Sequence, residues 1–278
     1  MNNKINSFFI YCMMAMQLIC VGCFSKSGSD NLNLASDSIQ TSHDTLHTEP
    51  DIPSYIEKMI KAYPSMGFTY SNNALFFKTG KKILCDDGKK KSFVDMLNSC
   101  DIEDMFSIPY RTDSLPPAYL SDAGRGRSEP LFKEMYGHNE PEVRKRLVPV
   151  EWFGSKILFS KTNGASAQLL KVRNELAKYP GLVKYLKNAS SFYWRKVRGA
   201  NRQSAHSYGI AIDINTRYSN YWLWSNPKKS ELDKISYENK IPSKIVEIFE
   251  KYGFIWGGRW YHYDTMHFEY RPELLFNK

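Results

Sequence analysis

The sequence predicts an α+β fold: a small, mostly antiparallel sheet with helices packed behind it, preceded by an N-terminal α/β extension. Hydrophobic residues recur at helical spacing in three segments, SYIEKMIKAYP, SAQLLKVRNELAKYP and SKIVEIFEKYGF. In YGIAIDINTRY, isoleucine instead alternates with small or polar residues, which is typical of a strand with one buried face. All six tryptophans lie from Trp152 onward, so the main core is expected in the C-terminal part.

The remaining elements follow from local patterns taken in chain order. The first segment is a helix ended by Pro64, and a strand, a glycine turn and a second strand follow in NALFFKTGKKILCDDGKK. A short helix is expected in KSFVDMLNSC, and a helix followed by a strand in NEPEVRKRLVPVEWFG. SSFYWRKVRGA has the character of a strand that enters a loop. In the loop DAGRGRSEP, solvent exposure of Arg125 and Arg127 is favoured over a role in binding a substrate carboxylate.

The composition is that of an ordered chain. Its 278 residues, 42% hydrophobic and 24% charged, are enough for one large domain or two small ones. The net charge of +9 favours anionic partners such as nucleic acid, membrane surfaces or acidic polymers. The densest basic run, GKKILCDDGKKK, contains two aspartates, so a specific nucleic-acid partner is not predicted.

The N-terminus predicts export from the cytoplasm. Residues 1–23 contain an early lysine and an apolar run from Phe8 to Val21, too short to span a bilayer comfortably, which is the pattern of a secretory signal peptide. Its end, CVGC, resembles a lipoprotein-processing box and makes Cys23 the candidate lipidation site. A plain signal peptide and an uncleaved anchor are the alternatives. In each case we expect the mature protein outside the cytoplasm. The favoured prediction is a periplasmic or cell-envelope lipoprotein, held at the membrane by its N-terminal lipid or signal anchor.

The rest of the chain divides by composition. Residues 24–50 are rich in Ser, Thr, Asp and Asn without periodic hydrophobicity, which predicts a flexible linker. Residues 51–150 form a globular region to which the sequence assigns no role. Its two cysteines, Cys85 and Cys100, either pair in an oxidising compartment or remain as free buried thiols.

One predicted strand carries a carboxylate that needs a positive partner. Asp213 lies opposite the isoleucine face of YGIAIDIN, and burying a carboxylate is costly unless something neutralises its charge. His206 lies seven residues earlier, and Gly209 between them permits a bend that turns the imidazole back toward the carboxylate. On this segment alone, a surface histidine–aspartate hydrogen bond explains the pattern equally well.

A second segment, YHYDTMHFEY, favours a metal site. At its end, His267 and Glu269 share one face of a predicted strand, and Asp264 lies just before it. Two imidazoles and one carboxylate are the ligand set of a catalytic zinc with an open fourth position. The predicted ligands are therefore His206, Asp213 and His267, with Zn2+ as the cofactor.

The other polar residues are assigned by what metal-assisted hydrolysis requires. A free carboxylate has to accept a proton from water and pass it to the leaving amine, and Asp264 is the candidate. Glu269 is either a rival base or the hydrogen-bond partner of a ligand imidazole. The developing oxyanion needs a donor, which Arg195 or Arg202 supplies unless these are ordinary surface charges. His262 is expected at the rim, as a substrate contact.

SAHSYGIAIDIN and WGGRWYHYDTMHFEYRPELL together resemble the VanY-type D-alanyl-D-alanine carboxypeptidase family of zinc peptidases. That family includes L-alanyl-D-glutamate endolysins and shares its fold with the hedgehog signalling domain. Its pattern is S-x-H-x-x-G-x-A-x-D. Later in the sequence follow an acidic residue, two spacer residues and the last histidine, in the form D-x-x-H. The matching positions are Ser204, His206, Gly209, Ala211, Asp213, Asp264 and His267.

The resemblance implies roles for these residues. It covers roughly Glu151 to Leu275, so residues 151–278 are expected as the zinc peptidase domain. His206, Asp213 and His267 would bind zinc, with Asp264 as the general base. Arg195 would be the transition-state arginine, and substrate contacts are expected from Ser204, Arg202 and His262.

The implied function is a secreted zinc metallopeptidase that cleaves peptidoglycan stem peptides. Both a D-Ala-D-Ala carboxypeptidase and an L-Ala-D-Glu type endopeptidase are compatible with the motifs. The alternative is a non-catalytic, metal-bearing cell-wall binding module, which Asp264 disfavours because a binder has no need of a base. A metal-dependent phosphoesterase is disfavoured by the mononuclear three-ligand set.

Overall fold

The computed structural model describes residues 51–113 and 115–276. The predicted signal peptide, the lipidation site Cys23 and the linker lie outside the described residues and stay predictions. Within the described ranges, no helix has both the length and the apolar character needed to cross a membrane.

Eight α-helices are described, joined by loops and short 3₁₀ turns. They are α1 (Ser54–Ala62), α2 (Phe93–Asn98), α3 (Glu129–Tyr136), α4 (Glu140–Arg144), α5 (Ala165–Leu176), α6 (Val183–Leu186), α7 (Trp222–Ser225) and α8 (Ser243–Lys251). The eight described strands are β1 (Thr69–Ser71), β2 (Ala74–Phe76), β3 (Lys82–Leu84), β4 (Leu147–Trp152), β5 (Ser155–Ser160), β6 (Ala211–Asp213), β7 (Phe254–Trp256) and β8 (His267–Tyr270).

The strands form three small antiparallel sheets, so the predicted α+β fold is confirmed. They have the orders β1-β2-β3, β4-β5 and β6-β8-β7. In the last sheet, β8 is the central strand, and its register places His267 directly opposite Asp213 on β6. This pairing brings together two predicted site residues that are 54 positions apart in the sequence.

The isoleucine face of β6 is buried, as the alternation predicts. Ile210, Ile212 and Ile214 are each fully buried in the main hydrophobic cluster. Helix α8 packs against β7 and α5, and Phe249 of α8 stacks on Phe268 of β8 with ring centroids 3.8 Å apart. Since one face of the sheet is sealed by apolar packing, the other face remains for polar side chains.

The region before residue 150 shares this core. Its buried residues, including Ile56 and Met59 of α1, belong to the same hydrophobic cluster as the C-terminal isoleucines. Trp260 also links the C-terminal part to this region, since its Nε1 donates a hydrogen bond to the carbonyl oxygen of Ala123 at 2.6 Å. Cys85 and Cys100 are free, buried thiols, which decides between the two states that the sequence left open.

The predicted strand in SSFYWRKVRGA is wrong. Only isolated bridges occur there, from Ser190 to Asp213 and from Lys196 to Gln203. The segment runs beside the 3₁₀ turn Ala205–Tyr208: Tyr193 N donates to the backbone oxygen of His206 at 3.4 Å, but Arg195 N donates to a side chain, Ser207 Oγ, at 2.9 Å. A 3₁₀ turn presents no regular row of backbone groups, so no ladder forms.

The turn that leads into β6 depends on Gly209. Its φ of +65° lies in the left-handed region, and a Cβ there would lie 2.4 Å from Leu147 Cδ2. The glycine carbonyl also accepts a hydrogen bond from Ser160 N at 2.7 Å, which holds the turn against β5. Glycine is therefore required both by the backbone conformation and by the space available.

We expect Gly209→Ala to lower the free energy of unfolding by about 2–5 kcal/mol, because left-handed strain and overpacking both oppose the methyl group. Gly164→Ala is the matched control, since Gly164 has a φ of +74° but no atom within 4 Å of the added Cβ. It should cost about 1–2 kcal/mol. Urea denaturation measures both variants, and equal losses would show that the contact with Leu147 contributes nothing.

Candidate metal centre

Three side chains meet at the polar face of the β6–β8 pair. His206 Nε2 lies 3.2 Å from His267 Nδ1 and 3.2 Å from Asp213 Oδ1. His267 Nδ1 and Asp213 Oδ1 are 3.0 Å apart. Asp213 and His267 are brought together by the strand register, whereas His206 comes from the 3₁₀ turn Ala205–Tyr208. The structure thus brings together all three predicted ligands.

These three residues fit a zinc ion. A tetrahedral zinc with ligand bonds of about 2.0–2.2 Å needs its ligand atoms roughly 3.3–3.5 Å apart. The observed separations of 3.0–3.2 Å are close to this requirement. Two imidazoles and one carboxylate also match the chemistry of a catalytic site, in which a fourth position stays open to water or substrate.

The outer nitrogen of each imidazole is held by a partner. His206 Nδ1 donates a hydrogen bond to the backbone oxygen of Ser191 at 2.7 Å. His267 Nε2 faces Glu269 Oε2 at 3.5 Å. These contacts select the tautomers that direct His206 Nε2 and His267 Nδ1 toward the shared position.

Glu269 lies beneath the ligands and does not line the cavity. It is fully buried and forms ion pairs with Arg127 at 3.1 Å and with Arg271 at 3.3 Å. Burial alone would raise the pKa of Glu269, but Arg127 and the other cations outweigh it and lower that pKa to about 2. Of its two expected roles, its position matches that of the partner of a ligand imidazole.

The charges within the ligand cluster stabilise one another. Burial opposes ionisation of Asp213, but His206 and His267 hold its pKa well below the usual range. Burial likewise lowers the pKa of the His267 imidazole, whereas Asp213 and Glu269 raise it, with a net rise to about 10. The carboxylate that the sequence singled out therefore has the positive partners that its burial requires.

Asp264 lines the same cavity, which has a volume of about 290 Å³. Its Oδ1 is buried and has no hydrogen-bond partner in the described structure. Burial and the nearby charge of Asp213 raise the pKa of Asp264 to about 7. A carboxylate in this state is suited to exchange protons near neutral pH.

The predicted substrate-binding residues also line the cavity. Arg195 is exposed at the mouth, whereas Ser204 is buried and Arg202 is half-buried. Arg202 Nη1 donates a hydrogen bond to the backbone oxygen of Arg125 at 2.7 Å. Neither Arg195 nor Arg202 forms an ion pair with a carboxylate in the described part of the chain.

His262 lies in the cavity wall and not at its rim. It is 1% exposed, and its ring packs edge-on against Trp222 with centroids 4.7 Å apart. His262 Nδ1 donates a hydrogen bond to Asp122 Oδ2 at 2.5 Å, and the backbone N–H donates to Asp122 Oδ1 at 2.9 Å. Its orientation is thus fixed by a residue far away in the sequence.

The comparisons with known proteins agree with this site. Residues 198–270 match the family model of D-alanyl-D-alanine carboxypeptidase. For this segment, the match confirms the family that the motifs resemble. The match covers about a quarter of the chain and includes the three candidate ligands and Asp264. Searches of curated proteins and of solved structures found no match.

Several residues around the site lie outside the matched segment: Asp122 was missed from the sequence, whereas Arg125 and Arg127 were expected in solvent. Arg125 pairs with Asp122 at 2.9 Å and with Glu231 at 2.8 Å. The side chains of Arg125 and Arg127 are only 12% and 9% exposed, so the solvent exposure favoured for them is wrong. The loop is buried because Gly124 packs against Ile255 of β7. The packing is so close that a Cβ added to Gly124 would lie 2.5 Å from Ile255 Cδ1. Loop composition gives no signal for such long-range packing.

The cluster Asp122, Glu231 and His262 resembles a second set of metal ligands. Its candidate ligand atoms lie within 4.8 Å of one another. However, Arg125 contacts both carboxylates and offsets part of their negative charge. We therefore assign this cluster to positioning Arg125 and His262.

We expect His206→Ala to weaken zinc binding by more than roughly 100-fold, because even residues that only orient a ligand change metal affinity by about 10–100-fold. His138→Ala is the control, since His138 is exposed and pairs with Glu134 at 3.1 Å on a helix outside the cavity. Titration against a competing chelator measures the affinities. Equal affinity of His206→Ala and the unmodified protein would exclude His206 as a ligand.

Proposed function

We propose that this protein is a secreted zinc metallopeptidase that cleaves peptidoglycan stem peptides, as a D-Ala-D-Ala carboxypeptidase or an L-Ala-D-Glu type endopeptidase. The proposal rests on one arrangement: His206, Asp213 and His267 converge within 3.2 Å in the cavity that also holds the buried carboxylate of Asp264. The family match supports a carboxypeptidase-like peptidase and, through its description, a substrate with D-alanyl residues.

The N-terminal sequence supports the proposed location. The apolar run from Phe8 to Val21 and the box that ends at Cys23 have the pattern of an exported, lipid-anchored protein. Wall peptides lie outside the inner membrane, so an enzyme that cleaves them has to be exported. A periplasmic or cell-envelope lipoprotein satisfies this requirement.

The ligand set fits zinc, which when bound polarises a carbonyl and lowers the pKa of water to roughly 7. Asp264 accepts the proton from the attacking water and passes it to the leaving amine, a role that its place in the lining of the same cavity as the three ligands supports. Arg195, at the cavity mouth, donates hydrogen bonds to the carbonyl oxygen as negative charge develops on it. Ser204 and His262 contribute polar walls that orient the peptide.

Asp264 also separates this proposal from a non-catalytic binding module. A buried carboxylate oxygen without a hydrogen-bond partner, such as Asp264 Oδ1, destabilises the folded state. A functional role for the carboxylate explains why the fold contains it despite this cost. Proton transfer is such a role, whereas a module that only binds the cell wall has none for it.

The first test is cleavage of defined wall peptides by the purified protein. Zinc-loaded protein should hydrolyse stem peptides that contain D-Ala-D-Ala or L-Ala-D-Glu bonds, and mass spectrometry of the products identifies the bond. Chelation should abolish cleavage, and added zinc should restore it. A zinc-loaded protein that binds these peptides without turnover would favour the binding module.

Replacing the base should separate chemistry from metal binding. We expect Asp264→Asn to reduce kcat by about 10²- to 10⁴-fold, because the amide cannot accept the proton, while zinc affinity is retained. Asp113→Asn is the matched control, since Asp113 is 65% exposed and lies outside the cavity. Steady-state kinetics and metal titration measure both variants. An unchanged kcat in Asp264→Asn would refute its role as the base.

A further inference from the structure

The positive charges around the cavity are not balanced equally. Arg125 contacts two carboxylates, Asp122 and Glu231, and is fully paired. Arg127 pairs with Glu269 at 3.1 Å. Arg202 lines the same cavity, but no ion pair to it occurs among the described residues.

The structure holds Arg202 in place without neutralising it. Its described hydrogen bond runs from Nη1 to the backbone oxygen of Arg125, and the buried Nε has no partner. Burial, together with the charges of Arg127 and Arg125, lowers the pKa of Arg202. A guanidinium nevertheless stays protonated at neutral pH, so the cavity contains a cation that no carboxylate of the described residues approaches to ion-pair distance.

The wall that orients Arg202 is firmly held. Trp260 Nε1 donates to the oxygen of Ala123, and Gly124 packs against Ile255. The following residue, Arg125, is fixed by its carboxylate pairs on both sides, so its carbonyl group is fixed as well. This wall lies outside residues 198–270, the part that matches the family model.

We infer that Arg202 binds a carboxylate group of the substrate, and that residues 122–127 form the wall that positions it. A half-buried cation without a carboxylate partner carries a desolvation cost, and an anionic ligand offsets that cost on binding. The planar guanidinium donates paired hydrogen bonds that match the two oxygens of a carboxylate. The inference rests on the proposed peptidase function and gives the region before residue 150 a role in substrate specificity.

A stem peptide offers this carboxylate from two sources. One is the C-terminal carboxylate of a leaving D-alanine, and the other is the free α-carboxylate of D-glutamate. The first would make the protein an exopeptidase, whereas the second would allow cleavage within the peptide. Two pairs of peptides distinguish the sources. In one pair the C-terminal carboxylate of D-alanine is either free or amidated, and in the other pair the α-carboxylate of D-glutamate is either free or amidated.

The experiment compares zinc-loaded protein with Arg202→Met on these peptides. For the unmodified protein, amidation of the recognised carboxylate should lower kcat/KM by about 10- to 100-fold, the value of a charge-assisted hydrogen bond. Arg202→Met should lose activity on the acid to the same extent and change little on the amide. Arg198→Met is the control, since Arg198 is exposed, lines the same cavity and has no assigned role.

A binding measurement keeps the inference independent of turnover. Calorimetric titration probes the carboxylates directly with three ligands. N-acetyl-D-alanine carries an α-carboxylate, N-acetyl-D-isoglutamine carries an α-amide and a side-chain carboxylate, and N-acetyl-D-glutamic acid carries both carboxylates. Metal coordination by the carboxylate contributes to every protein compared, so a difference between the unmodified protein and Arg202→Met belongs to Arg202. We expect at least one ligand to bind about 10-fold more weakly to Arg202→Met, with Arg198→Met unchanged.

The outcomes separate the inference from the proposed function. Cleavage of acid and amide peptides at equal rates overturns the carboxylate subsite and leaves the peptidase function intact. Equal loss on acid and amide in Arg202→Met also overturns it and indicates a role at the scissile carbonyl. If no peptide is cleaved, the proposed function fails, and the titration alone decides whether Arg202 binds carboxylates.

Discussion

The antiparallel pairing of β6 with β8 is the constraint on which the metal centre depends. It sets Asp213 opposite His267, and a slip of one residue would turn either side chain to the apolar face. The register is fixed because that face is buried: Ile212 is inaccessible, and Phe268 stacks on Phe249 of α8. Apolar packing on one side of the sheet therefore determines the ligand geometry on the other.

The buried charges continue from this face into the N-terminal region. Glu269, beneath His267, pairs with Arg271, and Arg271 pairs with Glu273. Glu273 in turn accepts a hydrogen bond from Tyr63, which follows α1. Each member of this chain of contacts is buried, so the removal of one would leave the next without its partner. The orientation of the ligand imidazole thus depends on residues that precede it by about 200 positions.

The meeting of the three candidate ligands was predictable from sequence because their signal is local. Alternation in YGIAIDIN, a glycine between His206 and Asp213, and the spacing in YHYDTMHFEY are all read within a few residues. Asp122 was missed, and Arg125 and Arg127 were assigned to solvent, because all three lie in a loop whose composition favours exposure. Their contacts with His262, Glu231 and Glu269 span 106 to 142 residues. The wrong strand in SSFYWRKVRGA has the same cause, since its neighbour proved to be a 3₁₀ turn.

This division between local and distant signals has a physical meaning for the site. Residues 198–270 contain the candidate ligands and Asp264, the groups that the proposed metal-assisted hydrolysis requires. The groups that surround the substrate space are instead oriented from outside that segment, His262 by Asp122 and Arg202 by the carbonyl of Arg125. Chemistry needs a fixed set of atoms, whereas specificity depends on which charges the walls present. In the proposed peptidase, substrate choice therefore depends on the loop at residues 122–127, whereas the metal chemistry depends on residues 198–270.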